Sequence, residues 1–569
     1  MVLEEIGTLL EIHGEKNRFK ARAFFNAARI VEKLDRDIVE VTRAGELARI
    51  EGIGPATAGV IRDLVETGRS RYYDELRERT PNGMLQLLGV PGLGPGRVRT
   101  LHEHLGIRSL EDLEAAAREG KVASVPGFGV RTQQKILEGI RYVRDVAGRR
   151  RMPECIDVAH RLAAFVAALP GVEEAVATGE LRRGCETVDG IDILACTLPD
   201  AVETVVQAFI SLPGVARSAR AGKARAVSTL SDGLQLRLAC AAPDTFAVAL
   251  VHATGSAAHV ARLREQAERK GLELREDGLY RAGSRVPTPA EEDVYRVLGL
   301  AFVEPELRED GAEVDAARAG SLPELVTYDD LRGCFHCHTT YSDGRASVAE
   351  MAEAAAARGW RYIGIADHSQ HAAYARGLSV DDVLRQHEEI DAWNARRGRD
   401  VWVFKGIEAD ILSDGTLDYA DSSILESFDY VIGSVHSSFN LPADAMTRRF
   451  LRALENPYLT MIGHPAGRRL LSRAEYSFDV DAVLAAAAER GVAVEINADP
   501  HRLDLDWRYW RSALRHGVRC AINPDAHSAR ALGYVHYGIT MARKGWLEAK
   551  DVVNTWTLRA VRRFLQSRA

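Results

Sequence analysis

The sequence predicts a multidomain protein of mixed class, with helical modules at its N-terminal end, an α+β region in the middle and an α/β barrel at its C-terminal end. Three observations carry that expectation. A short glycine phrase recurs within the first 150 residues, each time leading into a helix. Apolar alternation of period two appears after Glu154, as in IDILACT (191–197) and LQLRLAC (234–240), the mark of half-buried strands. Beyond about residue 330, short strands such as YIGIAD, VWVFKGIEAD, YVIGSVH, LTMIGHP, VAVEINA and RCAINPDAH alternate with Ala-rich helices, which predicts parallel strands closed into a barrel. A chain of 569 residues exceeds one core, and roughly three to five domains are expected.

Composition narrows the function classes. Hydrophobic residues make up 46% and charged residues 27%, an ordinary globular profile. The formal net charge of -7 excludes a protein that grips nucleic acid by bulk charge, so any such grip must be local. MVLEEIGTLLEIHGE has neither a basic flank nor a long apolar run, and no signal peptide is expected. No apolar stretch approaches the ~20 residues of a membrane span. Seven scattered cysteines argue against a disulfide framework. A reduced, cytoplasmic protein with no membrane partner follows.

Residues 1–80 read as short amphipathic helices, with Phe24, Phe25, Ala28 and Ile30 at helical spacing. The glycine phrase first occurs here, as IEGIGPATAGVIRDL; it returns in 81–150 as VPGLGPGRVRTLHEHLG and VPGFGVRTQQKILEGI. A Gly-hydrophobic-Gly turn before a helix points backbone N–H groups outward beside the positive end of the helix dipole, an uncharged cradle for phosphate. One such phrase is an ordinary tight turn; three copies point to function. The pairs Gly52/Gly54, Gly92/Gly94 and Gly127/Gly129 resemble helix-hairpin-helix DNA-binding motifs, whose contacts are sequence-independent. Lys16, Arg18, Lys20 and Arg22, interleaved with Phe19, form either a solvated helix face or a 5′-phosphate site.

In residues 151–255, GELRRGCETVDGIDILA (179–195) resembles the nucleotide-binding palm of family X DNA polymerases. HATGSAAHVARLREQA (252–267) and LREDGLY (274–280) extend the likeness into a thumb-like, mostly helical region over 256–318. The resemblance implies a nucleotidyltransferase with Mg²⁺ or Mn²⁺ between three carboxylates, and Gly179, Arg182 and Arg183 on the nucleotide phosphates. The chain departs from that pattern. The family reads Gly-Asp-hydrophobic-Asp, whereas this sequence reads Asp189-Gly190-Ile191-Asp192; alternation along a strand puts Asp189 on the face opposite Asp192 unless the glycine permits a bulge. Arg237 stands where the third carboxylate belongs and is placed to form an ion pair with Asp192; Glu180 stands where a serine is expected. A weakened or lost polymerase centre follows, with Asp189 or Asp232 as the compensating acid if it works. The lysine that some relatives use for lyase chemistry is Val60, with Ala56 replacing a basic residue, and a Schiff base needs an amine. The acidic stretch 304–325 reads as a linker.

Past residue 319 the polar residues that end the strands are His336, His338, Asp343, His368, Glu408, His436, His464, Asp525 and His527. Any one alone is well explained as a core or surface residue. Together, on strand ends that converge on one barrel face, they are the ligand types that Zn²⁺, Mn²⁺ and Fe²⁺ take, in number enough for two or three ions. HCHTTYSDG, ADHS, GIEADI, GSVHSS, GHP and PDAHS resemble the PHP phosphoesterase family. That resemblance implies a distorted (β/α)7 barrel over 319–569, Mn²⁺ or Zn²⁺ as cofactor, and those nine residues as its ligands. Three readings compete: a repair nuclease that trims 3′ ends (a 3′-5′ exonuclease) or opens abasic sites, acting on gapped, nicked or 3′-ended DNA as a monomer; a gap-filling polymerase with a nuclease attached, using deoxynucleotide triphosphates; and a DNA-binding scaffold with a vestigial metal site. The complete ligand set disfavours the third, and the broken carboxylate triad disfavours the second. A histidinol-phosphate-type phosphatase is disfavoured by the glycine motifs.

Overall fold

A computed structural model describes residues 2–14, 17–32, 34, 37–81, 83–419 and 423–566. These divide into two compact units, Met1–Ala147 and Gly148–Ala569. Among the described residues no helix is long and apolar enough to cross a membrane.

The first unit is all helical. Its helices are α1 (Val2–Ile12), α2 (Arg18–Glu32), α3 (Ile38–Arg43), α4 (Pro55–Thr67), α5 (Arg71–Glu78), α6 (Met84–Leu87), α7 (Pro95–Leu105), α8 (Leu110–Arg118) and α9 (Val130–Asp145). Helical spacing buries Phe24 and Ala28 with Leu9, Leu10 and Ile61 in one core, while Leu87, Leu101, Leu113 and Ile140 build a second. Ser70 and Ser109 start α5 and α8 by accepting hydrogen bonds from first-turn amides.

The second unit opens with a five-stranded sheet: β1 (Val172–Thr178), β2 (Ile191–Thr197), β3 (Val215–Arg220), β4 (Arg225–Leu230) and β5 (Gln235–Ala241), in the order β1-β2-β5-β4-β3. Only the β2–β5 pair is parallel, and its register sets Asp192 beside Arg237. The following region is less helical than the sequence suggests. Helices Ala257–Arg269 and Glu291–Val297 flank a three-stranded sheet of β6 (Glu273–Arg275), β7 (Gly278–Arg281) and β8 (Ser284–Val286). Those strands are too short for period two to show in the sequence.

Residues 304–325 are not a linker. They contain a helix, Ala312–Ala319, and bury Leu307, Val314 and Ala317 in the same core as Leu263 and Tyr295. The acids that suggested solvent instead meet buried cations. Glu309 lies 2.5 Å from Lys544 and 3.1 Å from Arg183, and Glu306 lies 2.6 Å from Arg543. Charge composition alone cannot distinguish a solvated acid from one with a partner more than two hundred residues away.

The barrel strands are β9 (Gly333–Cys337), β10 (Tyr362–His368), β11 (Trp402–Asp410), β12 (Tyr430–Ser434), β13 (Leu459–Ile462), β14 (Ala493–Asn497) and β15 (Cys520–Asn523). All seven are parallel and neighbour one another in chain order, and a bridge between Cys337 and Ala526 brings the first edge to the last. Strands such as YIGIADH are buried at every residue, as expected where helices cover one face and the barrel interior the other.

A buried proton marks the thumb-like core. His259 Nδ1 lies 2.6 Å from Glu313 and His259 Nε2 lies 2.9 Å from the Tyr295 hydroxyl. Burial pushes His259 down to about 3 and Glu313 up to about 8, so at neutral pH the proton sits on the carboxyl. From 4.5 to about 8 the folded form holds a proton that an unfolded Glu313 has lost, so stability falls as pH rises. Below 6.5 an unfolded His259 binds a proton that the folded form does not, which opposes that fall. The net effect is a decline between about 6.5 and 8, of order 2 kcal/mol. Glu313→Gln preserves a donor to Nδ1. Its melting midpoint should therefore lose several degrees less than the unmodified protein's between pH 6.5 and 8.5; parallel curves would contradict the assignment.

Candidate metal centre

The nine strand-end residues converge. His336 lies in β9 and His338 just beyond it; His368 ends β10, Glu408 lies near the end of β11, and His436, His464 and the pair Asp525/His527 follow β12, β13 and β15. Asp343 comes from the turn after β9, where Gly344 is essential: a Cβ there would sit 2.5 Å from the His338 carbonyl. His336, His464 and Asp525 take positive φ, at 55°, 24° and 50°, a conformation that L side chains resist and that a packed surround must hold.

Their ligand-type atoms fall into four overlapping groups, each drawn within 4.8 Å: His338, Asp343, His368 and His527; His336, His338 and Asp525; His336, Glu408 and His464; His368, Glu408 and His436. Glu408 is the hub. Its Oε1 lies 3.0 Å from His464 Nε2 and 3.2 Å from Nε2 of both His336 and His436, and its Oε2 lies 2.9 Å from His368 Nδ1. Asp525 is 3.2 Å from His338, and Asp343 is 3.2 Å from His527.

Several of these atoms are buried and, though close to one another, lack a hydrogen bond of good geometry: His336 Nε2, both nitrogens of His338, Asp343 Oδ1, His368 Nδ1, Glu408 Oε2 and His464 Nδ1. Burying a polar group unsatisfied costs about 1–3 kcal/mol. A set of orphaned imidazole and carboxylate atoms aimed at common points fits divalent cations, which take these donors and satisfy them together. The electrostatics agree. Glu408 and Asp525 are held far below the usual carboxylate range, because nearby imidazoles outweigh the burial that would raise them. Burial opposes protonation of His436 and His527, but Glu408 and Asp410 beside the first, and Asp343 and Asp525 beside the second, lift both to about 9. His338 is lowered to about 4 by burial and by neighbouring imidazoles, His464 to a similar value by burial and Arg502. Positive charge is wanted at the centre of the group.

Sequence reasoning missed the residues behind these. Glu495, fully buried in β14, lies 2.7 Å from His336 Nδ1 and accepts from the His464 amide and from Asn497 and Asn523. Asp410 lies 2.6 Å from His436 Nδ1. Such partners fix the tautomer, so that Nε2 faces the centre. A signal existed: both acids interrupt apolar strands, in VEINA and GIEADI.

The glycine motifs share one geometry. Gly52, Gly92 and Gly127 have φ of 88°, 84° and 82°, and Gly54, Gly94 and Gly129 are the extended residues that precede α4, α7 and α9, with no side chain capping those helices. The apolar residue between each pair (Ile53, Leu93, Phe128) is buried while both glycines stay exposed. Val60 is packed in the core, where no amine is available. Lys16 lies outside the described residues; Arg18, Phe19, Lys20 and Arg22 are exposed, with Lys20 Nζ 4.4 Å from the centroid of the Tyr72 ring.

In the palm, Asp189 and Asp192 are not on opposite faces. Asp189-Gly190 lies in the turn before β2, so strand alternation does not govern it, and both carboxylates meet Arg237, at 2.6 and 2.5 Å. Gly179 has φ of 64° and abuts Asp192, whose Oδ2 a Cβ would approach to 2.6 Å. Arg182 pairs with Glu291 at 2.8 Å and Arg183 with Glu309 at 3.1 Å, so both charges are matched within the protein. Glu180 accepts from Arg149 at 2.9 Å and from the Asp189 amide at 3.1 Å. Asp232 accepts from the Leu234 amide at 3.0 Å within its own turn.

Comparison with known proteins follows the same divisions. Residues 1–70 match a helix-hairpin-helix domain, 84–141 a SAM-like helix-hairpin-helix tandem, 249–309 the DNA polymerase beta thumb and 335–499 the PHP domain. A probable phosphatase of Thermoanaerobacter sp. (strain X514) is 29% identical over 39% of this chain and 89% of its own length. DNA polymerase lambda of Rattus norvegicus is 26% identical over 54% of this chain and 55% of its own. The DNA polymerase/3′-5′ exonuclease PolX of Bacillus subtilis (strain 168) is 34% identical over 99% of this chain and 98% of its own. With thumb, helix-hairpin-helix and PHP regions in one chain, and a relative alike from end to end, the protein belongs to the family X DNA polymerases that carry a C-terminal PHP domain.

Proposed function

We propose that the barrel hydrolyses phosphodiester bonds of gapped, nicked or 3′-ended DNA, with two or three divalent ions, Mn²⁺ or Zn²⁺, held by His336, His338, Asp343, His368, Glu408, His436, His464, Asp525 and His527. The observation that carries this reading is the convergence of nine ligand-type side chains with orphaned buried atoms. Bound ions of this kind supply Lewis-acid charge and a water of lowered pKa. The protein's own part is positional. Glu495 and Asp410 orient His336 and His436, and the rigid strand ends keep every donor in place.

The helix-hairpin-helix glycines Gly52, Gly54, Gly92, Gly94, Gly127 and Gly129 deliver DNA by their outward amides, without sequence preference. The palm, in this reading, is weakened or silent in nucleotidyl transfer. Arg237 holds Asp189 and Asp192 where a pair of carboxylates would need to face metal ions, and Arg182 and Arg183 serve Glu291 and Glu309 instead of a triphosphate. A second reading, a working gap-filling polymerase with an attached nuclease, draws on the polymerase named for the B. subtilis relative and on the two palm aspartates lying on one side. In it, Asp189 and Asp192 would hold Mg²⁺ or Mn²⁺ in place of their contacts with Arg237.

Two assays separate these. On a labelled primer–template with Mn²⁺, His336→Ala and Asp525→Ala should abolish shortening, and Glu495→Gln should slow it roughly ten- to hundredfold; full activity in both ligand variants would mean the barrel is not the nuclease. On gapped DNA with nucleotides, extension should be feeble and indifferent to Asp192→Ala. Robust extension lost in that variant would favour the second reading.

A further inference from the structure

Beside the nine-residue centre stand two side chains that the fold does not need there. The first is Tyr374, in the loop between β10 and the next long helix. That loop is a rigid turn: Ser369 and Leu378 form a bridge, the Leu378 amide donates to the His368 carbonyl at 2.8 Å, and the His371 amide donates to Asp418 at 2.6 Å. Ala372, Ala375 and Leu378 are buried, and the turn is so tight that a Cβ at Gly377 would lie 1.8 Å from the Ser369 carbonyl oxygen. From this fixed base Tyr374 projects with 72% of its surface exposed. Its ring centroid is 6.0 Å from that of His368 and 6.3 Å from that of His436. Anchoring three apolar neighbours while leaving the large aromatic in solvent is not a packing solution.

The second is Arg502, on the loop after β14, where Leu503 takes a φ of 46°. Its amide donates to the Asp499 carbonyl at 2.8 Å and its carbonyl accepts from Arg468 at 3.0 Å, so the backbone is pinned on both sides. Among the described residues the guanidinium makes no hydrogen bond; it lies 3.7 Å from Asp525 Oδ2, with 17% of the side chain exposed. A guanidinium carries five donors in a planar fork suited to phosphate oxygens. Here the fork is nearly sheltered, ion-paired at long range with Asp525 but not hydrogen-bonded among the described residues, and beside the centre.

We propose that Tyr374 and Arg502 seat the terminal nucleotide of a DNA strand: the phenol stacks on its base while the guanidinium donates to non-bridging oxygens of its phosphate. This rests on the hydrolytic reading of the centre and adds a substrate preference to it. A phosphate monoester of a small molecule needs the guanidinium but gives the ring nothing to cover. An internal base pair gives it nothing either, because both faces of the base are already stacked. A terminal or unpaired base has a free face, and stacking on an aromatic side chain tolerates any base.

The test compares two oligonucleotides that differ only at the last residue, one ending in a normal nucleotide and one in an abasic sugar, with the full-length protein and Mn²⁺. The unmodified protein and Tyr374→Phe should prefer the base-bearing end by roughly tenfold, and Tyr374→Ala should lose that preference, its loss of rate falling mainly on the base-bearing end. A second readout needs no turnover. With chelator present, terminal 2-aminopurine should be quenched by the unmodified protein and by Tyr374→Phe, but not by Tyr374→Ala, and 2-aminopurine placed internally should respond alike to all three. Arg502→Ala should slow both ends equally, by tenfold or more, and leave the quenching in place. Equal slowing of both ends by Tyr374→Ala, unchanged preference in that variant, or undiminished cleavage by Arg502→Ala would overturn the seat. Terminal quenching that depends on Tyr374 in a protein that cleaves neither end would sink the hydrolytic reading while leaving the stacking contact intact.

Discussion

Glu408 is the point on which the barrel end turns. Its carboxylate is 1% exposed and faces His336, His368, His436 and His464 from four different loops or strands. A buried anion is tolerated only when opposite charge surrounds it closely. Neutral imidazoles do not supply that charge, and protonated ones crowd each other. Cations that bind carboxylate and imidazole together relieve both difficulties. The parallel register brings these strand ends together, where they share a demand for positive charge, and the positive φ values of His336, His464 and Asp525 are the conformational cost of aiming side chains from separate strands at one place.

The palm meets the same demand by other means. Two of its acids, Asp189 and Asp192, take their positive charge from Arg237. Around it the pattern repeats: Arg149 on Glu180, Arg182 on Glu291, Lys544 on Glu309. Arg182–Glu291 ties the palm to the thumb-like core and Lys544–Glu309 ties that core to the barrel, while Trp507 and Arg508 of the barrel both meet Glu186 of the palm. In the palm the charge that the carboxylates need comes from fixed Arg and Lys side chains, whereas around Glu408 the donors are imidazoles that could share a cation.

The barrel was legible in the sequence because its rule is local: an apolar run followed by a polar residue says strand and strand end, and parallel closure does the rest. All nine candidate ligands were named from that rule and from the family likeness. Glu495 escapes notice because it sits inside a strand, where a polar residue reads as an interruption, and Asp410, the last residue of β11, because Glu408 two residues earlier already answers the pattern. The 304–325 region was misread because Glu306 and Glu309 find partners, Arg543 and Lys544, far along the chain, a distance no local composition reveals. Asp189 falls two residues before the strand, beyond Gly190, where alternation no longer governs the side chain. Tyr374 has no signal at all in sequence, where an exposed tyrosine and a buried one look alike.

The most direct measurement is anomalous diffraction at the manganese edge from crystals of the full-length protein grown with Mn²⁺. The account predicts two or three peaks within about 2.0–2.3 Å of imidazole nitrogens and carboxylate oxygens of the nine barrel residues, with Glu408 touching more than one. Peaks elsewhere, or none at saturating metal, would contradict it.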